Sequence, residues 1–428
     1  MENSLRNSRV QLGRQVEHWA AAIERLGDLE LFAAAGSWEG LEHYLNQSLR
    51  KSLRGAVAEL QREVLQLRKL WLQTNSSSGI QHLQLGLTQL RRRYQRLETL
   101  LDFFIDAINT RANPRIAALL TCCDRMVQSS MNAVLLPLKY QTPPILTYLG
   151  EGLGAAILKA GLRLWDQRTE NPAAAIKLAR HNIYRPTALI HEAGHQVAHI
   201  LNWNRELARL FLKKLPQSIA PTWASWASEV AADTFAFVHT GYASVAGLHD
   251  VVASDVRSVF RFIDGDPHPI SYLRVLLGIE MCRQSYGGGP WEGMENAWRT
   301  QYPLSAAADD DQILLHESLT AIPTISQLCL RHPMRSFNGL SIVRLVDPKR
   351  VSPQVLLQME ARVGHSLFHS SYWLGSETLR ILALTGYRIG VEPGNATRLI
   401  QRQAEWMQRA GELEHQAHFQ STHYQTYH

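Results

Sequence analysis

The chain reads as mainly α, with a helical bundle over 1–112, a core over 113–304 and a helical C-terminal region over 305–428. Three observations carry this. Apolar residues recur at alternating steps of three and four through the first 110 residues, which keeps one helix face apolar. Two later stretches, 188–199 and 228–236, set histidines or carboxylates four residues apart among apolar neighbours, again a helical pattern. Strand-like runs are few, and 341–346 (Ser-Ile-Val-Arg-Leu-Val) is one of them.

The first run is Leu12, Val16, Trp19, Ile23 and Leu26. The second spans Leu53 to Trp71 through Val57, Leu60, Val64 and Leu67, and the third runs from Ile80 to Ile108. Their near-3.5 period suits helix against helix. The polar stretch 74–79, Thr-Asn-Ser-Ser-Ser-Gly, breaks the second run from the third and predicts a long antiparallel hairpin. Burial within the bundle accounts for the apolar faces; a protein partner bound through the 1–112 helices is the alternative. Arg91-Arg92-Arg93 lies on the polar side and reads as a solvated face. Asn113-Pro114 and Thr142-Pro143-Pro144 interrupt the pattern, and two further helical stretches are expected between 145 and 180, parted near Asn171-Pro172. A helix begins near Pro186. The glycine-rich 285–290 reads as a connecting loop, since no Lys-Ser/Thr follows to make a phosphate loop. Asp309-Asp310-Asp311 suits a helix N-terminus. The last fifteen residues, with His415, His418, His423 and His428, read as a loose polar tail.

Composition bounds the function. The 428 residues allow roughly two or three domains. With 45% apolar and 19% charged residues the chain is globular. Its net charge of +6 is mild and spread, and no nucleic-acid motif accompanies it. The most apolar segment, 144–165, carries Glu151, Lys159 and Arg163, so no membrane span is expected. The first residues lack the apolar stretch of a secretory signal. Cys122, Cys123, Cys282 and Cys329 form no CxxC pair, which argues against a disulfide framework and for a cytoplasmic setting.

The chemistry sits in His191-Glu192-Ala193-Gly194-His195. Histidines four apart on a helix project from one face and can both reach one zinc ion. Glu192 points to the adjacent side, where its carboxylate can take a proton from an acidified water. Glu229 and Asp233, again four apart, share a face of a second helix. Glu229 can complete a His₂Glu site with an open fourth position, and Asp233 can fix the tautomer of a ligand imidazole. His199 lies one turn beyond the pair and reads as a core histidine or a partner of the ligands. His365 and His369 repeat the spacing with Ser366 in place of the glutamate, so a second catalytic zinc is not expected there. Trp203, Trp223 and Trp226 read as core.

These residues resemble the gluzincin zinc metallopeptidases. His191-Glu192-x-x-His195 with Glu229-x-x-Ala232-Asp233 is similar to the M48 family, which includes the Ste24- and HtpX-type proteases. His268-Pro269 followed by Arg274 resembles the His-Pro-x-x-x-x-Arg signature of that family. The resemblance covers about residues 185–280 and lacks the relatives' membrane helices. It implies a zincin-like core with a small sheet, one zinc per chain on His191, His195 and Glu229, and Glu192 as general base. His268 and Tyr272 are candidates to stabilise the oxyanion of a tetrahedral intermediate, with Tyr184 further behind. Arg274 is expected either to hold its turn to Asp233 or Glu229 or to form a surface ion pair. The expected function is zinc-dependent endopeptidase action on a protein or peptide substrate. The alternative is a helical scaffold or assembly protein with a structural or vestigial zinc site.

Overall fold

The computed structural model describes residues 2–45, 48–151, 155–161, 171 and 173–425, and of residues 414–425 the backbone alone. The chain divides into two units, Met1–Ala112 with Leu158–Ala175, and Asn113–Ile157 with Ile176–His428.

In the first unit, helices α1 (Glu2–Leu26), α2 (Ala35–Leu45), α3 (Leu49–Gln73) and α4 (Ser77–Thr110) bury the apolar stripes. Val16, Ile23, Leu53, Leu83 and Phe104 are closed to solvent. The expected breaker is a three-residue link in which the Ser76 hydroxyl caps α4 by accepting from Gly79 N at 3.2 Å. Gly86 packs on Leu67, while Arg93 pairs with Glu59 and Glu63; the numbers rise on one helix as they fall on the other, so the hairpin is antiparallel. Arg93 is thus tied between helices, and Arg91 and Arg92 are the solvated members of the basic triplet.

The second unit begins with α5 (Pro114–Leu135), capped by the Asn113 side chain with Pro114 in its first turn. Along the chain follow β1 (Ile145–Gly150), β2 (Ala156–Leu158) and β3 (Ala174–Ala179), paired in the order β1-β3-β2, with Leu158, Ala174 and Ala175 counted in the first unit. Two helical stretches were expected here; the described residues form strands instead, and residues 152–154, 162–170 and 172 lie outside the described residues. Ala173-Ala174-Ala175 has high helix propensity, but β3 is the central strand and nearly all of it is buried, so pairing overrides propensity. Thr147 of β1 donates from its backbone N and its hydroxyl to Asp124 of α5, at 2.7 and 2.8 Å.

The core of this unit is helical: α6 (Thr187–Leu201), α7 (Trp203–Lys214), α8 (Ala220–Ser225), α9 (Ala227–Thr240), α10 (Tyr242–Val252), α11 (Val256–Val259), α12 (Ser271–Tyr286) and α13 (Pro290–Gln301). Its C-terminal part is α14 (Gln312–Arg331), α15 (Ile342–Leu345), α16 (Pro353–Val363), α17 (Ser371–Ser376), α18 (Thr378–Val391) and α19 (Ala396–Gln425). The architecture is mainly α with one small sheet, as the sequence implied. Two local expectations are corrected. The strand-like 341–346 is the one-turn helix α15, which follows a turn at Asn338 and Gly339, both at positive φ; Ile342 is buried without a sheet to join. The loose tail is instead the end of α19, whose earlier turns bury Leu399, Gln403, Trp406, Met407 and Ala410 on one stripe. The tail histidine side chains lie outside the described residues.

One helical stretch, Asp309–Arg331, is long and apolar enough by composition to cross a membrane; half of its most apolar window is buried within the chain.

α19 lies on α5 at Gly411, where a Cβ would stand 1.8 Å from the Ala118 carbonyl oxygen. Gly411→Ala is expected to destabilise the protein by about 1–3 kcal/mol, as overpacking does. Gly293, inside α13 with no atom within 4 Å of an added Cβ, is the control; its alanine variant should gain roughly 0.4–1 kcal/mol. Thermal unfolding of the two variants checks the pair of signs.

Candidate metal centre

α6 and α9 cross at very short range. Gly194 meets Ala232, and a Cβ at Gly194 would lie 2.8 Å from Ala232 Cα and 2.9 Å from Phe235 Cβ. Only a residue without a side chain permits this approach. The crossing lays the imidazoles of α6 against the first turns of α9. His191 Nε2 is 3.3 Å from Glu229 Oε2, and His195 Nε2 is 3.1 Å from Glu229 Oε1. The two rings stand nearly perpendicular, with centroids 4.8 Å apart.

These spacings suit a metal ion. Bonds of about 2.0–2.1 Å in a tetrahedron place ligand atoms roughly 3.4 Å from one another. One donor atom from each of His191, His195 and Glu229 lies within 4.8 Å of the other two, so the group can hold a metal ion. Formal charge points the same way. Three carboxylates, Glu192, Glu229 and Asp233, surround one guanidinium, Arg274, and so leave room for added positive charge.

The remaining ring nitrogens face polar neighbours. His191 Nδ1 is 2.8 Å from Asp233 Oδ1, and His195 Nδ1 is 3.3 Å from Ser228 Oγ. Both contacts leave Nε2 toward Glu229, the orientation a ligand imidazole needs. Arg274 on α12 closes the cluster. Its Nε donates to Asp233 Oδ2 at 2.5 Å, and its Nη2 to Asp233 Oδ1 at 2.8 Å and Glu229 Oε2 at 3.2 Å. Of the two readings of Arg274, the structure thus has the buried clamp.

Burial alone would raise the Glu229 carboxyl; hydrogen bonds from His191 and His195 and the charge of Arg274 reverse this and hold it far below the usual range. Burial opposes ionisation of Asp233 as well, yet the charges of Arg274 and His191 bring it down to about 2. Burial disfavours a charged His191, but Asp233 and Glu229 raise it to about 9.

A cleft of about 540 Å³ opens over the cluster. His191, Glu192, Glu229 and His268 form its chemical end, and Val245, Leu248, Leu277 and Met281 line an apolar stretch. His268 stands at the mouth, 59% exposed, with Nε2 3.8 Å from Glu229 Oε1. Its Nδ1 and backbone N both lie within 3 Å of Asp266 Oδ1, so it orders the 266–269 turn while facing the cleft.

Tyr272 is a correction. It lies two residues before Arg274, about 200° round the helix, so it faces away from the cleft. Its ring is buried between Phe260 and Trp298, with centroids at 4.8 and 6.4 Å. Tyr184 contributes its carbonyl to the buried amide of Gln403 on α19. His199 is exposed rather than core, while Trp203, Trp223 and Trp226 are buried as expected.

Three further positions at the cleft and crossing were not singled out from sequence. Gly194 lay inside the histidine motif as an unread spacer. Ser228 directly precedes Glu229, and that adjacency was its only signal. Arg185, which lines the cleft and pairs with Asp250 at 2.5 Å, carried none. No protein-family model, curated protein or solved structure matches this chain.

Two predictions follow from this geometry. His191 must shed its proton before Nε2 can bind a metal, and its pKa is about 9. Zinc affinity should therefore rise with pH up to about 9, by roughly tenfold per unit from this group alone, with proton release on binding. Titrations in buffers of different ionisation enthalpy read both effects. Gly194→Ala should weaken zinc binding at least about tenfold at unchanged helical circular dichroism, by forcing the helices apart. Wild-type affinity in that variant would show that the ligands do not depend on the crossing.

Proposed function

We propose that this protein is a zinc-dependent endopeptidase. The observation that carries the reading is the convergence of His191, His195 and Glu229 on one point of a cleft whose wall also presents Glu192. Zinc bound there supplies Lewis acidity, which makes a water more acidic and polarises a carbonyl. The chain's own groups do the rest. Glu192 takes a proton from the attacking water and passes it to the leaving amine. Asp233 and Ser228 hold the two imidazoles in orientation, and Arg274 holds Asp233 and Glu229 in place. His268, exposed at the cleft mouth, is the donor placed to face negative charge developing on the carbonyl oxygen. The apolar stretch of the cleft suits a peptide side chain. A cytoplasmic location fits the four cysteines, all buried.

Glu192→Gln should keep zinc at one per chain and lower cleavage of a peptide library by about 10²–10⁴-fold, read by mass spectrometry of products. A library left intact by the zinc-loaded wild-type chain would contradict the peptidase reading and favour a scaffold with a structural metal.

A further inference from the structure

A second cleft, of about 360 Å³, lies between α19 and the turn Gly364–Phe368. α19 presents Arg398, Arg402, Glu405 and Arg409 to it, at steps of four, three and four that keep them on one face. His365 and His369 enter from the other wall, with rings stacked 4.1 Å apart and Nε2 atoms 3.3 Å apart. Arg402 sits over the Phe368 ring, 5.1 Å from its centre.

Charge in this cleft is unbalanced. Three guanidiniums face one carboxylate, Glu405. Among the described residues no carboxylate lies in ion-pair range of Arg398, Arg402 or Arg409. Elsewhere the chain pairs its clustered arginines: Arg50 with Glu42, Arg283 with Glu280 and Glu295, Arg388 with Glu360 and Glu392. The histidines do not offset the excess. A guanidinium can only donate, so His369 Nδ1 accepts from Arg409 and its proton sits on Nε2, facing His365 Nε2. A second, independent sign comes from Trp406. It is 1% exposed and lines the cleft, and its indole N–H has no acceptor among the described residues. A buried donor left without an acceptor is costly.

Guanidiniums with free N–H groups bind tetrahedral oxyanions through paired hydrogen bonds, and three of them match a group carrying more than one negative charge. A volume of about 360 Å³ with Phe368 in its wall suits a small ligand. We propose that this cleft binds the phosphate group of a small phosphorylated molecule. The proposal stands apart from the peptidase reading and shares no residue with it.

Calorimetric titration of the full chain with inorganic phosphate tests it. Saturable one-site binding is expected, weakened at least about tenfold in Arg398→Gln/Arg402→Gln at an unchanged unfolding midpoint, and retained in His191→Ala. The Trp406 indole N–H resonance, assigned through Trp406→Phe, should shift as phosphate is added. Absence of saturable binding, binding indifferent to the arginine pair, or binding lost in His191→Ala would each overturn the proposal. Vesicles of phosphatidylcholine with phosphatidic acid distinguish a lipid headgroup. Capture by these vesicles without binding of free phosphate would also overturn it.

Discussion

Everything at the metal centre depends on how closely α6 approaches α9. Gly194 removes the one Cβ that would keep the backbones apart, and Ala232 offers the smallest surface opposite. At that separation a short carboxylate side chain on α9 spans two imidazoles on α6, so Glu229 lies about 3 Å from both. A wider crossing would leave the carboxylate between the helices with one partner at most. The crossing also buries the α6 face from Leu189 to Ala198, so the histidines project from a rigid, packed helix rather than from a loop.

Close approach creates an electrostatic problem that the same residues solve. Three carboxylates gather in a poorly hydrated cleft, where unpaired charge is costly. Arg274, brought by α12, neutralises part of that charge through three hydrogen bonds and ties α12 to α9. A proton on His191 supplies further positive charge when no metal is bound, and a divalent ion would take its place. Arg274, Asp233 and Ser228 therefore have structural duties that are inseparable from the chemistry of the ligands they hold. The second cleft has the opposite character: among the described residues, no carboxylate lies in ion-pair range of its three arginines.

Much of this was legible in the sequence because local periodicity carries it. The three–four rhythm of Leu12 to Leu26 and Ile80 to Ile108 marks helices whatever they pack on, and spacings of four put His191 with His195 and Glu229 with Asp233. What failed was non-local. The strands between 145 and 179 form by pairing with one another, and the alanines of β3 suggest helix when read alone. Ile342 and Val343 resemble a strand, but a single helical turn forms instead, with Ile342 buried. Tyr272 lies off the site because the phase of α12 sends its side chain and that of Arg274 to opposite sides. Gly194 carries no local signal, because its role appears only when its neighbour across the crossing is known.

The central claim is that this crossing builds a nitrogen–oxygen metal centre from two imidazoles and a carboxylate. Zinc-edge X-ray absorption of the full chain loaded with one equivalent of zinc tests it most directly. The account predicts four light-atom ligands at about 2.0–2.1 Å, with the outer-shell scattering of two imidazoles and no sulfur. Sulfur at about 2.3 Å, or a spectrum without imidazole scattering, would contradict it.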